Sequence, residues 1–218
     1  MKNIISIAFA GMLLTKASPL AQASLVINGD FNAGNLSGWW TYAAEPANQS
    51  AALDNTYTLD LTHNLSLTSA TSAYAVAAGQ LQNPAIGADM GYNLSFDFSA
   101  TNTPSWGSAA ASIKYYDASA TYLGFVWIPL YHETAAPNTA GQWLTYDADF
   151  TTPANTASMS LEFVAWNWTT LHLDNVSITA VPEPTSMMLA SLGCLMLCVR
   201  SRNGKHSTAM SSIPHATQ

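Results

Sequence analysis

The sequence predicts an all-β chain: an antiparallel β-sandwich, a jelly roll of about eight strands, followed by one apolar transmembrane helix near the C-terminus. Two observations carry this. No long segment between residues 24 and 180 repeats its apolar residues at the helical period of 3.6. Many short runs instead alternate apolar and polar residues, as a strand with one wet face requires, and Gly, Pro, Asn, Asp and Ser separate them.

Tyr57–Leu61 and Ala73–Ala77 are the weaker strand candidates. Tyr92–Ser99 alternates strictly: Leu94, Phe96 and Phe98 point one way, Asn93, Ser95, Asp97 and Ser99 the other. Ala111–Tyr116 leads through the turn residues Asp117-Ala118-Ser119-Ala120 into Thr121–Ile128. Trp143–Phe150, Ser158–Trp166 and Leu171–Thr179 complete the set. In Ser158–Trp166, alternation places Glu162, Val164 and Trp166 on one face, and Trp168 with them. Glu162, opposite Leu161 and Phe163, reads as solvent-facing.

Both ends carry export signals. Lys2, the apolar run Ile4–Leu14 and the small-x-small site Ala21-Gln22-Ala23 mark residues 1–23 as a secretory signal peptide, cleaved after Ala23. At the other end, Val181-Pro182-Glu183-Pro184 precedes an uncharged tract, Thr185–Val199, and then Arg200 and Arg202. As a helix the tract spans roughly 23 Å. It is apolar on all sides, unlike a helix packed on a domain, and arginines follow it as they follow membrane spans on the cytoplasmic side. Residues 203–218 are polar without periodicity and read as a disordered tail.

Pro182, Glu183, Pro184, the short apolar tract and Arg200 resemble the PEP-CTERM sorting signal of Gram-negative bacteria. The resemblance covers residues 181–202 and implies processing near the Pro-Glu-Pro by an exosortase. It also implies export through the Sec pathway, transient membrane anchoring, and final residence at the cell surface or in the extracellular matrix. Such tails usually stop soon after the arginines, and this one runs on to Gln218.

Residues 24–180 make one domain by size. Up to Val181 they hold 12 of the 13 acidic residues but only Lys114 of the six Lys and Arg, a formal charge near −11. Such a surface repels phosphates, which excludes nucleic acid as a partner. It suits cations and neutral polymers such as sugars. Cys194 and Cys198 both lie in the apolar tract, so the domain is built without disulfides.

The domain opens Leu25-Val26-Ile27-Asn28-Gly29-Asp30-Phe31-Asn32, with Gly38-Trp39 following, and closes Leu171-His172-Leu173-Asp174-Asn175-Val176. This pair resembles the two ends of carbohydrate-binding jelly-roll modules of the galactose-binding-like superfamily. First and last strands of a jelly roll can lie side by side, which lets the motifs meet. Asn28 and Gly29 offer backbone carbonyls; Asp30, Asn32 and Asp174 offer side-chain oxygens, a donor set suited to Ca²⁺. The resemblance implies a structural calcium clipping the ends together, with Asn32 standing where the family has an acid. The alternative is that Asn28-Gly29-Asp30 is only a turn and Asp174 a strand-end cap.

Catalytic constellations are not found: neither a G-x-S-x-G elbow nor H-E-x-x-H occurs, and Glu45, Glu133 and Glu162 have no recognisable acid–base setting. His63, His132 and His172 read as surface or loop residues rather than a metal triad. A binding module is the better expectation. All seven tryptophans lie in the domain. Trp39 reads as core, whereas Trp106, Tyr116, Trp166 and Trp168 are the candidate platforms for sugar rings. The expectation is an exported surface protein binding extracellular polysaccharide. The alternative is a non-catalytic structural component of a biofilm matrix with no soluble ligand.

Overall fold

The computed structural model describes residues 23–60, 62–71, 75–82, 86–102, 107–132, 139 and 142–181. Trp106 and the whole sorting tail, Pro182, Glu183, Pro184 and Arg200 included, lie outside the described residues, as does the apolar tract. Among the described residues no helix is long and apolar enough to cross a membrane.

The described residues form ten antiparallel strands: β1 (Trp40–Ala43), β2 (Gln49–Asp54), β3 (Asn64–Ser69), β4 (Ala75–Gln82), β5 (Gly91–Asn102), β6 (Ser108–Tyr116), β7 (Tyr122–His132), β8 (Leu144–Thr151), β9 (Ser158–Trp166) and β10 (Thr169–Ala180). They make two five-stranded sheets. Sheet A runs β1-β4-β9-β6-β7 and sheet B runs β2-β3-β10-β5-β8. Tyr57–Leu61 forms no described strand; Tyr57–Asp60 lies in the loop between β2 and β3.

Alternation builds the core. Met159, Leu161, Phe163 and Ala165 of β9 face Leu94, Phe96 and Phe98 of β5 and Leu171 and Leu173 of β10 in one buried cluster. Phe96 and Phe163 meet edge-on across the sheets, with ring centroids 5.0 Å apart. Each fully buried side chain of this size contributes about 1.5–3 kcal/mol of transfer free energy. Trp39 is core, its ring between Phe31 and Phe163 and its indole N–H donating to the Asn28 carbonyl at 3.2 Å.

The step from sheet A to sheet B is tight. Asn167 and Trp168, between β9 and β10, both take left-handed backbone angles, φ 50° and 54°. Side-chain alternation stops at Trp166, so Trp168 does not share a strand face with Trp166 and Glu162. Alternation read through the corner assumed an unbroken strand.

Candidate functional site: an aromatic trough on sheet A

Register explains the outward face of sheet A. One row crosses all five strands as Trp40, Gly79, Glu162, Ser112 and Trp127. The next reads Tyr42, Ala77, Val164, Ala110 and Pro129. Large rings stand on the two margins and small side chains between them. Four strand spacings separate the margins by about 19 Å. The result is a trough with aromatic walls.

Each wall has a local cause. A Cβ on Gly79 would lie 2.6 Å from the Trp40 ring and 2.5 Å from the Leu161 carbonyl oxygen. Glycine there lets the indole of Trp40 lie against the neighbouring strand. On the opposite wall Trp127 packs on Trp166, ring centroids 5.6 Å apart. Two adjoining depressions share Trp127: one runs to Trp166, Pro129 and Ser108, the other to Phe125, Lys114 and Glu162. Trp127 is 48% exposed and Phe125 56%.

The floor carries one ion pair. Lys114 Nζ donates to Glu162 Oε2 at 2.5 Å, and Ser160 Oγ donates to the other carboxylate oxygen at 3.4 Å. Glu162 is therefore a trough residue, not merely a solvated one; its face follows from alternation, but its partners required the register of β6 on β9. Tyr116 sits at one end of the trough, edge-on to Tyr122 with centroids 6.0 Å apart. Trp166 lies on the wall, and Trp168 on the corner beside it, its N–H 3.3 Å from the Thr71 carbonyl. Sequence reasoning missed Trp40, Phe125 and Trp127. The alternation of Phe125 and Trp127 within Thr121–Ile128 was the available signal.

The outward face of sheet B differs. His172 is buried, its Nδ1 lying 3.1 Å from Asn64 Oδ1 and 3.5 Å from Asp54 Oδ2, and the Tyr57 ring covers it. It is neither a surface nor a loop residue. Desolvation lowers its pKa, and Asp54 partly offsets this. Tyr57 in turn stacks on Trp143.

The opening and closing motifs meet. Leu25 N–H donates to the Ile178 carbonyl at 2.7 Å, and Val176 N–H to the Gly29 carbonyl at 2.9 Å. A Cβ on Gly29 would collide with the Val176 carbonyl oxygen, so only glycine fits. Beside this contact β10 bulges between Asp174 and Ser177. Asp174 is fully buried, and its Oδ2 has no hydrogen-bond partner among the described residues. Burial raises its pKa to about 6, with Asp60, Asp97 and Asp30 adding to the rise. Asn28 Oδ1 is also buried without a partner among the described residues. A buried, unpartnered carboxylate oxygen is a donor of the kind a hard cation takes. The remaining candidates fit less directly. Asn32 turns to Asp30, donating its amide and its backbone N–H to that carboxylate, and the Gly29 carbonyl already accepts from Val176. Among the described residues no three His, Cys, Asp or Glu side chains are grouped to hold a metal.

A two-sheet jelly roll with an open, ring-walled trough defines the class of carbohydrate-binding modules. Residues 23–170 match the family described as carbohydrate binding domain, and the chain belongs to that family. Residues 180–203 match the PEP-CTERM protein-sorting motif, the mark of a protein exported and processed at the membrane. No curated protein matches the chain.

Among solved structures, the fold is similar to that of the CBM22-1 xylan-binding domain from Paenibacillus barcinonensis Xyn10C, at 12% identity and TM-score 0.54, covering 74% of this chain and 96% of that one. It is similar to the Clostridium thermocellum xylanase Xyn10B CBM22-1-GH10 modules complexed with xylohexaose, at 16% identity and TM-score 0.54, covering 73% of this chain and 29% of that one. It is also similar to the enzymatically active domain of bacteriophage CBA120 tailspike protein 4, at 16% identity and TM-score 0.59, covering 72% of this chain and 21% of that one. The chain thus spans less than a third of the length of the last two. At these identities the likeness is one of fold.

Proposed function

We propose that the trough on sheet A binds extracellular polysaccharide, without catalysis, on a protein delivered to the surface of a Gram-negative bacterium. The observation that carries this reading is the paired, half-exposed rings of Trp127 and Trp166 above a floor of small residues. Exposed rings cost free energy in water and stack well on the C–H faces of sugars. The Lys114–Glu162 pair supplies charge-assisted donors and acceptors for hydroxyls. A strand-long floor suits a chain rather than a single sugar.

In the same reading an exosortase recognises Pro182, Glu183 and Pro184, and the apolar tract holds the chain in the membrane until that step. A calcium ion held by Asp174, with Asn28 and Asp30 beside it, serves the fold rather than binding. It would supply the positive charge that the buried carboxylate lacks.

A glycan array probed with the full chain tests the proposal. Saturable binding to one or more polysaccharides is expected, lost on Trp127→Ala and on Trp166→Ala. Absence of binding to every glycan, or binding indifferent to both substitutions, would overturn it and favour the structural role.

A further inference from the structure

Charge is divided unevenly between the two sheets. The described strands of sheet B carry Asp54, Asp97, Asp147, Asp149 and Asp174, and no Lys or Arg. The described strands of sheet A carry one acid and one base, Glu162 and Lys114, and these are bonded to each other on the trough floor. The base is the only Lys or Arg between residues 24 and 181. An acidic domain thus has one sheet whose charges balance, and it is the sheet that bears the exposed rings.

The register shows how the balance is held. Lys114 stands opposite Ser160 and Glu162 opposite Ser112, so the pair is made on the diagonal between β6 and β9. The Lys114 side chain is 36% exposed and that of Glu162 14%. A pair open to water adds little to folding, because solvent screens it and two long side chains must be ordered to make it. Beside a ligand its chemistry is selective. An ammonium has three donors, and Glu162 Oε2 takes one of them. Glu162 Oε1 accepts a long bond from Ser160 Oγ, 3.4 Å. A sugar hydroxyl can accept from the ammonium and donate to the carboxylate at once. An ionised uronate or sulfate has no proton to give, so it reaches Lys114 only by bringing a second negative charge against Glu162.

We propose that the Lys114–Glu162 pair is a charge filter: the trough takes uncharged polysaccharide and rejects acidic polysaccharide, and Glu162 is the residue that sets the choice. This rests on the polysaccharide reading of the trough and adds the charge class of its ligand. With Glu162 in place, the one cation of the domain is occupied within the protein. Without it, Lys114 is a free ammonium in the depression lined by Phe125 and Trp127, where an acidic chain can stack and pair together.

Binding of the full chain to matched polymers tests this. Each backbone is offered in an acidic and an uncharged form: polygalacturonate and its methyl ester, glucuronoxylan before and after carboxyl reduction, and the best array hit before and after oxidation of its primary hydroxyls to carboxylates. The uncharged form of at least one pair is expected to bind at least about 30-fold more tightly than its acidic form. Glu162→Gln is expected to weaken the uncharged form and tighten the acidic one, cutting that ratio at least about tenfold, with the gain lost as salt rises. Lys114→Met should weaken the uncharged form without admitting the acidic one. Asp147→Asn removes one charge from sheet B and should leave the ratio unchanged, which separates the pair from the net charge of the domain. An acidic form held by the wild type as tightly as its counterpart would overturn the filter and leave the polysaccharide reading standing. So would a ratio that Glu162→Gln leaves unchanged, or that Asp147→Asn alters as much. A chain that holds no member of any pair and no glycan of the array would overturn both.

Discussion

On the outward face of sheet A a row of residues reads Trp40, Gly79, Glu162, Ser112 and Trp127; on the outward face of sheet B a row reads Ser50, Thr68, Thr170 and Thr101. Both rows stand on the same scaffold, back to back across one core. The inward positions are similar in kind: aliphatic residues, Met and buried aromatics such as Tyr92 and Phe96. The outward positions are not. Sheet B spends them on short hydroxyls that satisfy one another, such as Thr170 with Thr68, and on carboxylates held by Asn93 and Asn175. Its aromatics, Tyr57 and Trp143, pack together over His172. Sheet A leaves large rings half in water. Folding explains the inward pattern of both sheets and the outward pattern of sheet B; the outward pattern of sheet A is what the proposed glycan would account for.

The sharpest way to break this contrast is to remove both stacked rings. The double substitution of Trp127 and Trp166 to Ala is expected to cost about 3 kcal/mol of binding, more than a hundredfold, by isothermal calorimetry against the best array hit. Retained affinity would make the trough rings decorative and erase the distinction between the faces.

A second test concerns Asp174 on the sheet B side. Folding raises its pKa from 3.8 to about 6, so the folded state holds its proton more tightly than the unfolded one. Stability should therefore fall as pH climbs through that window, with a loss on the order of 3 kcal/mol by pH 7. Without calcium, Asp174→Asn is expected to be the more stable protein at pH 7 by that amount. With excess calcium the wild type should overtake it, while glycan affinity moves little in either protein. Thermal melts indifferent to calcium and chelator at pH 7 would remove the ion from the account.

Glu162→Gln keeps the shape of the floor and removes its charge-assisted acceptor. Binding should weaken by about 1–2 kcal/mol with an unchanged melting temperature. Trp143→Ala, on the other sheet, completes the series: a lowered melting temperature and no change in glycan affinity. Were Trp143→Ala to weaken binding as much as the trough substitutions, the two faces would not be functionally separate.

Much of the sandwich was legible because burial writes a period of two into β5, β8 and most of β9. Of the early strands only the start of β4 was, within Ala73–Ala77. Trp40–Ala43 is four residues with its rings outward, so its alternation does not mark a core. Asn64–Ser69 buries only Leu65 and Leu67 as apolar residues, too few to stand out. Trp168 was misplaced because a two-residue left-handed corner resembles a continuing strand. The end motifs were readable as short patterns, but the orphaned Asp174 oxygen was not, since it depends on a bulge. The trough was half visible: Trp166 and Tyr116 declare themselves as aromatics near turns. Trp127 becomes a partner of Trp166 only through the order β9-β6-β7, and strand order is written in no local stretch of sequence.

The chain leaves the domain at Val181, directly from the end of β10, whose ladder to β5 runs from Thr169 to Ala180. β10 is the central strand of sheet B, hydrogen-bonded on both sides. If a glycan pulls on sheet A while the sorting tail holds the other end, tension enters along the axis of this strand. The load then falls on many ladder bonds together, in shear, instead of unzipping them one at a time. The opening segment, pinned to β10 by Leu25 and Gly29, adds a further splice at the loaded end. Under such a load the attachment point would set the domain's strongest direction along its tether.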